Sequence, residues 1–282
     1  MPRFKSRRDR CQSVRFTAST KFSITTGAKR RLSKIGYVPV KLSRPLPSVP
    51  SSVTVIKDAS GRYFASFVVD VETEPISGEA PEIGVDLGLR HFAVLSDGTK
   101  IEAPRLLRRA EEKLKRAQRS VTRKEAGSAN REKARIKLAR AHVRVADARR
   151  DFHHQLSTQL IRENQAIAVE DLSVSGLART RLAKSVLDAG WSSFVAMVEY
   201  KAAVHGRRFF RIGRFEPTSQ TCSKCESKDG PKPLHVRTWQ CKTCGLWLDR
   251  DVNAAVNVAQ AAGLAVTACG AQVSPPQGGE AH

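Results

Sequence analysis

Residues 83–88 read Ile-Gly-Val-Asp-Leu-Gly, an apolar run with a single carboxylate, Asp86, inside it. A short apolar run bounded by glycine predicts a buried β-strand. A carboxylate in such a strand is costly to bury unless it binds a cation or accepts hydrogen bonds. Gly84 and Gly88 remove side chains around Asp86, which leaves space for a close backbone or a ligand. The stretch therefore predicts a sheet centre and a candidate metal ligand.

Further strands and helices alternate along the chain on the C-terminal side of this run. Strands alternating with helices predict an α/β domain with a mixed sheet. The predicted elements are a strand at 91–95, a turn at 96–99, a short strand ending near 103, a strand at 166–169, an amphipathic helix at 191–205, a strand at 208–212 and an Ala-rich helix at 251–262.

Residues 105–162 have the pattern of two helices joined by a turn at Gly127-Ser128. Apolar residues recur every three or four positions on both sides of this turn, which predicts an antiparallel helical hairpin. The outer faces are rich in Arg and Lys. A solvated helix face is the ordinary interpretation of such charge. Acidic residues for i,i+4 pairing are few here, which favours an anion-binding surface.

The first 81 residues predict a β-rich region followed by a linker. A short strand is expected at Ser13–Thr17, and alternation over 51–72 predicts a hairpin that turns at 59–61. Residues 73–81 are rich in Pro, Gly and Glu and predict a linker.

The chain has 282 residues and a net charge of +22, unevenly distributed. Residues 1–50 carry +12, residues 101–150 carry +11 and residues 201–250 carry +7, with neutral or acidic segments between them. Because such charge repels itself, it indicates a polyanionic partner rather than a contribution to folding. The pattern predicts basic, nucleic-acid-binding surfaces around a site formed by acidic residues.

Several protein classes are excluded by the composition. No apolar run is long enough for a transmembrane helix, and the basic N-terminus is not followed by the apolar region of a signal peptide. Six cysteines are too few for a disulfide scaffold, and four of them form two Cys-x-x-Cys pairs. We expect a cytoplasmic protein with no membrane partner, associated with the nucleoid when bound to DNA.

The two cysteine pairs predict a metal site. Cys222 and Cys225 are followed, after fifteen residues, by Cys241 and Cys244. Two such knuckles close a tetrahedral site of four thiolates, and a site with no open position holds structural rather than catalytic Zn²⁺. His235 lies between the pairs and is expected at the ribbon surface, because four thiolates complete the shell. Cys11 and Cys269 have no partner signature and are expected to be plain thiols.

Two further carboxylates accompany Asp86. Glu170 ends the apolar strand at 166–169, and Asp251 begins the helix after the cysteines. A strand centre, a strand end and a helix start can converge on two divalent cations, expected to be Mg²⁺, that bridge a scissile phosphate. Each carboxylate also has a structural interpretation. Asp86 and Glu170 could accept hydrogen bonds at strand ends, and Asp251 or Asp249 could cap the helix.

At these residues the sequence resembles the TnpB (OrfB) family of transposon-associated proteins, relatives of type V CRISPR effectors. Residues 83–98 resemble the first RuvC motif and residues 169–172 the second. Residues 218–257 resemble a zinc ribbon followed by the third motif, and the likeness extends over roughly residues 1–260. The resemblance implies an RNase H-like (RuvC) mixed sheet with an inserted helical hairpin, an N-terminal β-rich wedge remnant and a four-cysteine zinc ribbon.

The resemblance also implies an activity and its residues. Members would be RNA-guided DNA endonucleases that use a guide RNA from the transposon end to pair with target DNA. Asp86, Glu170 and Asp251 would be the catalytic Mg²⁺ ligands. Residues 2–8 resemble the later part of the wedge domain, which holds guide RNA. The residues expected to contact nucleic acid are Arg3, Lys5, Arg7, Arg8, Arg108, Arg109, Lys115, Arg116 and Arg250.

The implied domain organisation has five parts and a missing beginning. Residues 1–75 would be a partial wedge, 82–215 a RuvC-like nuclease with a hairpin at 105–162, 216–248 the zinc ribbon, 249–263 the last RuvC helix and 264–282 a disordered tail. Family members are usually longer and begin with a wedge strand and a helical recognition domain. We therefore expect an N-terminally truncated member, either a genuinely truncated copy or one with a misassigned start codon.

Three functions remain open from the sequence. The first is a two-metal RNA-guided endonuclease. The second is a truncated protein that binds guide RNA or DNA without effective targeted cleavage. The third is a Holliday-junction resolvase or a generic RNase H-like nuclease, which the ribbon between the second and third carboxylates disfavours.

Overall fold

The chain forms two compact units in a computed structural model. One unit comprises Met1–Thr73 with Ala110–Ala146, and the other Glu74–Arg109 with Asp147–His282. Among the described residues, none of the helices combines the length and the hydropathy that a membrane span requires. The structure describes residues 12–17, 22–24, 29–72, 75–76, 78–214, 216–233, 235–265 and 271–273.

The first unit contains two three-stranded antiparallel sheets. Their strand orders are β1-β5-β6 and β2-β3-β4, and Phe16, Leu32 and Val53 are buried together in their core. The predicted strand at 13–17 and the predicted hairpin over 51–72 are confirmed. The strands are β1 (Gln12–Thr17), β2 (Ser23–Ile24), β3 (Lys29–Leu32), β4 (Gly36–Pro39), β5 (Ser52–Lys57) and β6 (Tyr63–Val68).

The turn between β5 and β6 is held by Asp58. Its carboxylate accepts bonds from the backbone N–H groups of Ser60 and Arg62, both at 2.9 Å, and from the Ser60 hydroxyl at 2.7 Å. Burial opposes ionisation of Asp58, but these hydrogen bonds outweigh it and hold its pKa well below the ordinary value. Gly61 has φ of 83°, a conformation that residues with a Cβ rarely adopt. The chain reverses direction where the sequence predicts.

Two long helices fill the region predicted to be helical. They are α1 (Leu106–Thr122) and α2 (Ala129–Glu163), separated by a short connection. The buried positions Leu114 and Val121 in α1, and Ala134 and Ala141 in α2, lie on the predicted apolar seam. The segments 110–122 and 129–146 belong to the first unit, where the Arg140 side chain donates to the Ser60 carbonyl. The boundary between the two compact units therefore passes through both helices. The predicted domain boundaries differ, because they place all of residues 105–162 in the nuclease domain.

The second unit is built on a five-stranded mixed sheet of order β11-β10-β7-β8-β9. The strands β7, β8 and β9 form an antiparallel meander, and β10 runs parallel to both β7 and β11. This confirms the predicted strands and the predicted mixed sheet. The strands are β7 (Glu82–Leu87), β8 (His91–Leu95), β9 (Lys100–Glu102), β10 (Ala166–Glu170) and β11 (Arg208–Ile212).

Four helices and a small hairpin complete this unit. The helix predicted at 191–205 is confirmed, as is the helix predicted at 251–262. The short helices between Glu170 and Gly190 were not predicted. The elements are α3 (Val174–Leu177), α4 (Ala183–Ala189), α5 (Trp191–Val204), β12 (Thr238–Gln240), β13 (Trp247–Asp249) and α6 (Arg250–Ala261).

The two faces of the mixed sheet bury different elements. One face packs Val85 and Val169 against apolar side chains of α2 and α5, such as Leu160 and Phe194. On the opposite face α6 lies directly on β7 at Gly84. A Cβ at Gly84 would lie 2.1 Å from the carbonyl oxygen of Ala255, so any larger residue would displace the helix. Glycine at this position is therefore what allows helix and strand to touch.

The predicted disordered tail needs a correction at the residues that the structure describes. Leu264 is buried beside Ala168 and Val258. Ala271 is buried in the cluster around the ribbon, and Gln272 forms a β-bridge with Leu248. These apolar contacts order positions that composition alone assigned to a tail. The remaining tail residues, 266–270 and 274–282, lie outside the described residues.

Candidate active site and metal centre

Sheet geometry brings Asp86 and Glu170 together. In a strand, residues two apart share a face, so Asp86 lies on the face of Gly84 and Glu170 on the face of Ala168. Ala168 is the register partner of Gly84 on the neighbouring parallel strand, and it packs against α6. The two carboxylates therefore stand on neighbouring strands, on the face that α6 covers.

Asp251 comes to the same place from the helix. It lies in the first turn of α6. The negative charges of Glu170 and Asp251 both act on Asp86, and Arg250 opposes them. The structure thus brings together the three carboxylates that the sequence predicts as a group.

The surroundings of Asp86 disfavour its charged form. Burial, followed by the charges of Glu170 and Asp251, raises the pKa of Asp86 from 3.8 to about 7. Burial also raises the pKa of Glu170, with a contribution from Asp171. Among the described residues neither Asp86 nor Glu170 accepts a side-chain hydrogen bond. The structure therefore does not support the alternative in which Asp86 and Glu170 accept hydrogen bonds at strand ends.

The structure shows which of the two aspartates, Asp249 or Asp251, caps α6. Asp249 is the N-cap, and its side chain accepts bonds from the N–H groups of Asp251 and Val252, each at 3.0 Å. Lys100 of β9 forms an ion pair with the other oxygen of Asp249. Asp251 is left to face the neighbouring carboxylates. The capping alternative thus applies to Asp249 and not to Asp251.

Two cations near these carboxylates were not predicted. The Arg237 guanidinium lies 3.3 Å from an oxygen of Asp251, and Lys100 pairs with Asp249. Neither has a sequence signal, because Lys100 lies 149 residues from its partner and Arg237 belongs to the segment between the cysteine pairs. Arg250 was predicted, and its side chain donates to the carbonyls of Lys232 and Pro233 at 3.4 and 2.8 Å.

The four predicted zinc ligands form a cluster. Their sulfur atoms all lie within 4.8 Å of one another, with Cys222 and Cys244 3.8 Å apart and Cys225 and Cys241 3.6 Å apart. Four thiols at these separations fit a tetrahedral metal site. The short hairpin of β12 and β13 carries the second pair between its strands. His235 is exposed, as predicted, and Cys11 and Cys269 lie outside the described residues.

The thiols of the cluster differ in their tendency to ionise. Burial raises the pKa of Cys222 to about 12. Burial also acts on Cys241, but a hydrogen bond from the Ser227 hydroxyl and bonds from the backbone N–H groups of Cys244 and Thr243 outweigh it and lower its pKa to about 6. Cys241 therefore ionises more readily than Cys222, and thiolate is the form that binds metal.

The residues predicted to contact nucleic acid differ in their partners within the chain. Arg108 donates to the Ser185 hydroxyl at 3.0 Å, and Arg109 is exposed on the same helix. Lys115 pairs with Glu111 at 3.0 Å and with Glu112 at 3.5 Å, so part of its charge is neutralised within α1. The predicted contacts Arg3, Lys5, Arg7 and Arg8 lie outside the described residues.

The last turns of α1 form a shallow basic cleft. In the part of the chain that the structure describes, none of its four basic side chains pairs with a carboxylate. Unpaired cations in one cleft suit phosphate groups, because each can bind one without first breaking an ion pair. The cleft is lined by Arg116, Arg119, Ser120, Arg123 and Lys124.

Two family models match the chain. A model described as "Probable transposase" (OrfB_IS605) matches residues 66–181. A second, described as "Cas12f1-like, TNB domain", matches residues 191–258. The first match includes Asp86 and Glu170, and the second includes Asp251 and the four cysteines.

Named relatives match over nearly the whole chain. A protein of Streptomyces pristinaespiralis named "Putative RNA-guided DNA endonuclease" is 43% identical, over 97% of this chain and 68% of the relative. A protein of Escherichia coli (strain K12) named "Putative RNA-guided DNA endonuclease InsQ" is 31% identical, over 96% of this chain and 71% of the relative.

A solved structure has a similar fold. It is described as "Cryo-EM structure of the Cas12f1-sgRNA-target DNA complex" and matches with a TM-score of 0.54 at 14% identity. The match covers 88% of this chain, which spans 59% of the length of that protein.

Proposed function

Because the chain belongs to the TnpB (OrfB) family, we propose that it is a transposon-associated, RNA-guided DNA endonuclease. The observation that carries the proposal is the meeting of Asp86, Glu170 and Asp251 on one face of the mixed sheet. The names of the two relatives support the same activity.

The carboxylates fit a pair of Mg²⁺ ions. Carboxylate oxygens are the ligands that Mg²⁺ prefers, and Asp86 is buried where the charges of Glu170 and Asp251 both act on it. When bound, two such ions would activate a water molecule and stabilise the leaving oxygen of a phosphodiester. Asp86, Glu170 and Asp251 would hold the ions, and Asp249 would keep the first turn of α6 in place. Arg250, whose positive charge acts on Asp86, would face the backbone phosphate.

We further propose that the mixed sheet is a RuvC-like, RNase H-like nuclease sheet. Its order supports this, because an antiparallel meander is extended by two strands parallel to its first strand. The ribbon would hold structural Zn²⁺, since four cysteines leave no open coordination position. We propose the predicted boundaries at 75, 82, 215, 248 and 263 as those of the wedge region, nuclease, ribbon and last helix.

Nucleic acid would be held by the basic cleft of α1 and by the basic N-terminal region. In RNA-guided systems base pairing supplies the sequence specificity, and the protein holds the backbones of the strands. The partners would be a guide RNA from the transposon end and its complementary DNA, which places the protein at the nucleoid. Both contacts are ionic and should weaken steeply with salt.

The test uses two neighbouring aspartates as a matched pair. The purified chain is incubated with guide RNA, matched DNA and Mg²⁺, and cleavage and binding are measured separately. Asp251→Asn should abolish cleavage and leave binding intact, whereas Asp249→Asn retains the capping oxygen and should still cut. Equal cleavage by the Asp251 variant and the unaltered chain would refute the assignment. Binding without cleavage by the unaltered chain would favour a nucleic-acid-binding protein instead.

A further inference from the structure

One side of α6 carries buried amide side chains that face the ribbon. Asn253 is fully buried and Asn257 is 7% exposed, and Gln260 follows on the same side at the helix surface. Residues three and four apart lie on one face of a helix, so the three amides form a row. The three amides are not ligands of either proposed metal site, so the roles given to the carboxylates and the cysteines do not explain why they are there.

The row is bonded to the backbone of the first cysteine knuckle. The Asn257 amide donates to the carbonyls of Thr218 and Thr221 at 2.6 and 2.7 Å. The Asn253 amide donates to the same carbonyls at 3.4 and 2.8 Å, and its oxygen accepts the N–H of Ser223 at 2.9 Å. Both carbonyls thereby receive two donors each.

These bonds surround a metal ligand. Thr221 and Ser223 are the chain neighbours of Cys222, and Gln260 donates to the Ser223 carbonyl at 3.0 Å. A metal that fixes Cys222 also fixes the backbone groups that the amides bind. The helix is thus held by the knuckle on one side.

The other side of α6 is held by the sheet. Its backbone at Ala255 fits against Gly84, two residues before Asp86. The helix is therefore clamped between β7 and the knuckle, and its first turn carries Asp251. A shift of the knuckle would be transmitted to the carboxylate, because a rigid helix moves as one body.

We propose that Asn253 and Asn257 are positioning residues that couple metal binding in the ribbon to divalent-cation binding at the carboxylates. The inference rests on the proposed function, because it takes the three carboxylates to be cation ligands. Coupling between two sites is reciprocal. Cations at Asp251 should therefore slow zinc loss from the ribbon, and zinc in the ribbon should tighten cation binding.

The experiment measures both sites directly, without an activity assay. Mn²⁺ binding to the zinc-loaded full chain is followed by electron paramagnetic resonance, and zinc release by a chromogenic chelator. Asn257→Ala should weaken Mn²⁺ binding by about 5-fold or more, within the usual range of coupling, and should accelerate zinc release. Gln260→Ala removes one bond at an exposed position and should act in the same direction more weakly, which keeps the test open if the first variant does not fold.

A buried asparagine outside the row serves as the control. Asn164 is 5% exposed and bonds the Leu160 carbonyl, so Asn164→Ala removes a similar group away from the ribbon. It should leave Mn²⁺ affinity and zinc release unchanged. Unchanged Mn²⁺ affinity in both row variants, or an equal change in the control, would overturn the coupling.

A further comparison separates this inference from the proposed function. Asp86→Asn should weaken Mn²⁺ binding in a chain whose amide row is intact. If the unaltered chain shows no Asp86-dependent Mn²⁺ binding, the proposed function fails and the coupling fails with it. If that binding is present but insensitive to the amides, the coupling alone fails.

Discussion

Asp86→Asn should make the protein more stable when no divalent cation is added. The pKa of Asp86 is raised from 3.8 to about 7 by burial and by the neighbouring carboxylates. Ionisation of this group therefore costs free energy in the folded state. Asparagine has nearly the same shape and no charge, so it removes this cost.

The size of the gain in stability, and its dependence on pH, follow from the raised pKa of Asp86. A group with a raised folded-state pKa destabilises the fold progressively as pH rises above the unfolded value, 3.8, and fully above about 7. Each pH unit between 3.8 and the folded-state pKa of about 7 contributes about 1.4 kcal/mol. The gain in the free energy of unfolding should therefore be about 4 kcal/mol at pH 8, where the whole interval counts, and about 2 kcal/mol at pH 5.

Urea denaturation of zinc-loaded protein at both pH values measures this difference. Asp151→Asn is a suitable control, because Asp151 is exposed on α2 and its carboxylate accepts a hydrogen bond from the Gln155 amide at 2.8 Å. Its free energy of unfolding should change little at either pH. A variant at Asp86 that is no more stable than the unaltered chain at pH 8, or that gains equally at both pH values, would refute the electrostatic reasoning.

Three further predictions concern the helix, its cap and the basic cleft. Gly84→Ala should destabilise the fold by about 3 kcal/mol or more in urea denaturation, since overpacking in a rigid site costs about 1–3 kcal/mol and here the added Cβ meets backbone. Asp249→Ala should lower stability by about 1–2 kcal/mol through loss of the α6 cap, measured in the same way. Replacing Arg119 and Arg123 by Gln should reduce the slope of log affinity for duplex against log salt by about 2, measured by fluorescence anisotropy.

Each of these has a matched control. Gly213→Ala adds a Cβ with no atom within 4 Å and should be tolerated, so an equal loss there would contradict the packing argument. Asp249→Asn retains an oxygen acceptor and should recover most of the capping energy. Substituting Arg135, which is paired with Glu132 at 2.7 Å, should change the salt slope less than the cleft variants do. An unchanged slope in the cleft variants would exclude α1 from binding.

Periodicity and spacing predict most of the second unit because its elements obey simple rules. The strand around Asp86 is apolar on both faces, as expected where α6 covers one side and α5 the other. The four cysteines are found from spacing alone, since two knuckles must meet on one ion. The buried amides at 253 and 257 also leave a signal, as polar residues four apart in an otherwise apolar helix.

Other features depend on contacts that no local pattern reveals. The strands β3 and β4 were missed because residues 29–39 are basic and lack clear alternation. The pairing of Lys100 with Asp249 joins residues 149 apart in the chain. Both aspartates at the start of α6 can cap a helix by sequence, and only the folded backbone shows that Asp249 does so.

The most direct test of the account is cleavage by Asp86→Asn. The purified variant and the unaltered chain are given the same guide RNA, matched DNA and Mg²⁺, and nucleic-acid binding is measured in parallel. We predict that the variant is more stable, binds as well and does not cut. Mg²⁺-dependent cleavage by the variant at the rate of the unaltered chain would contradict the assignment of these carboxylates as the catalytic site.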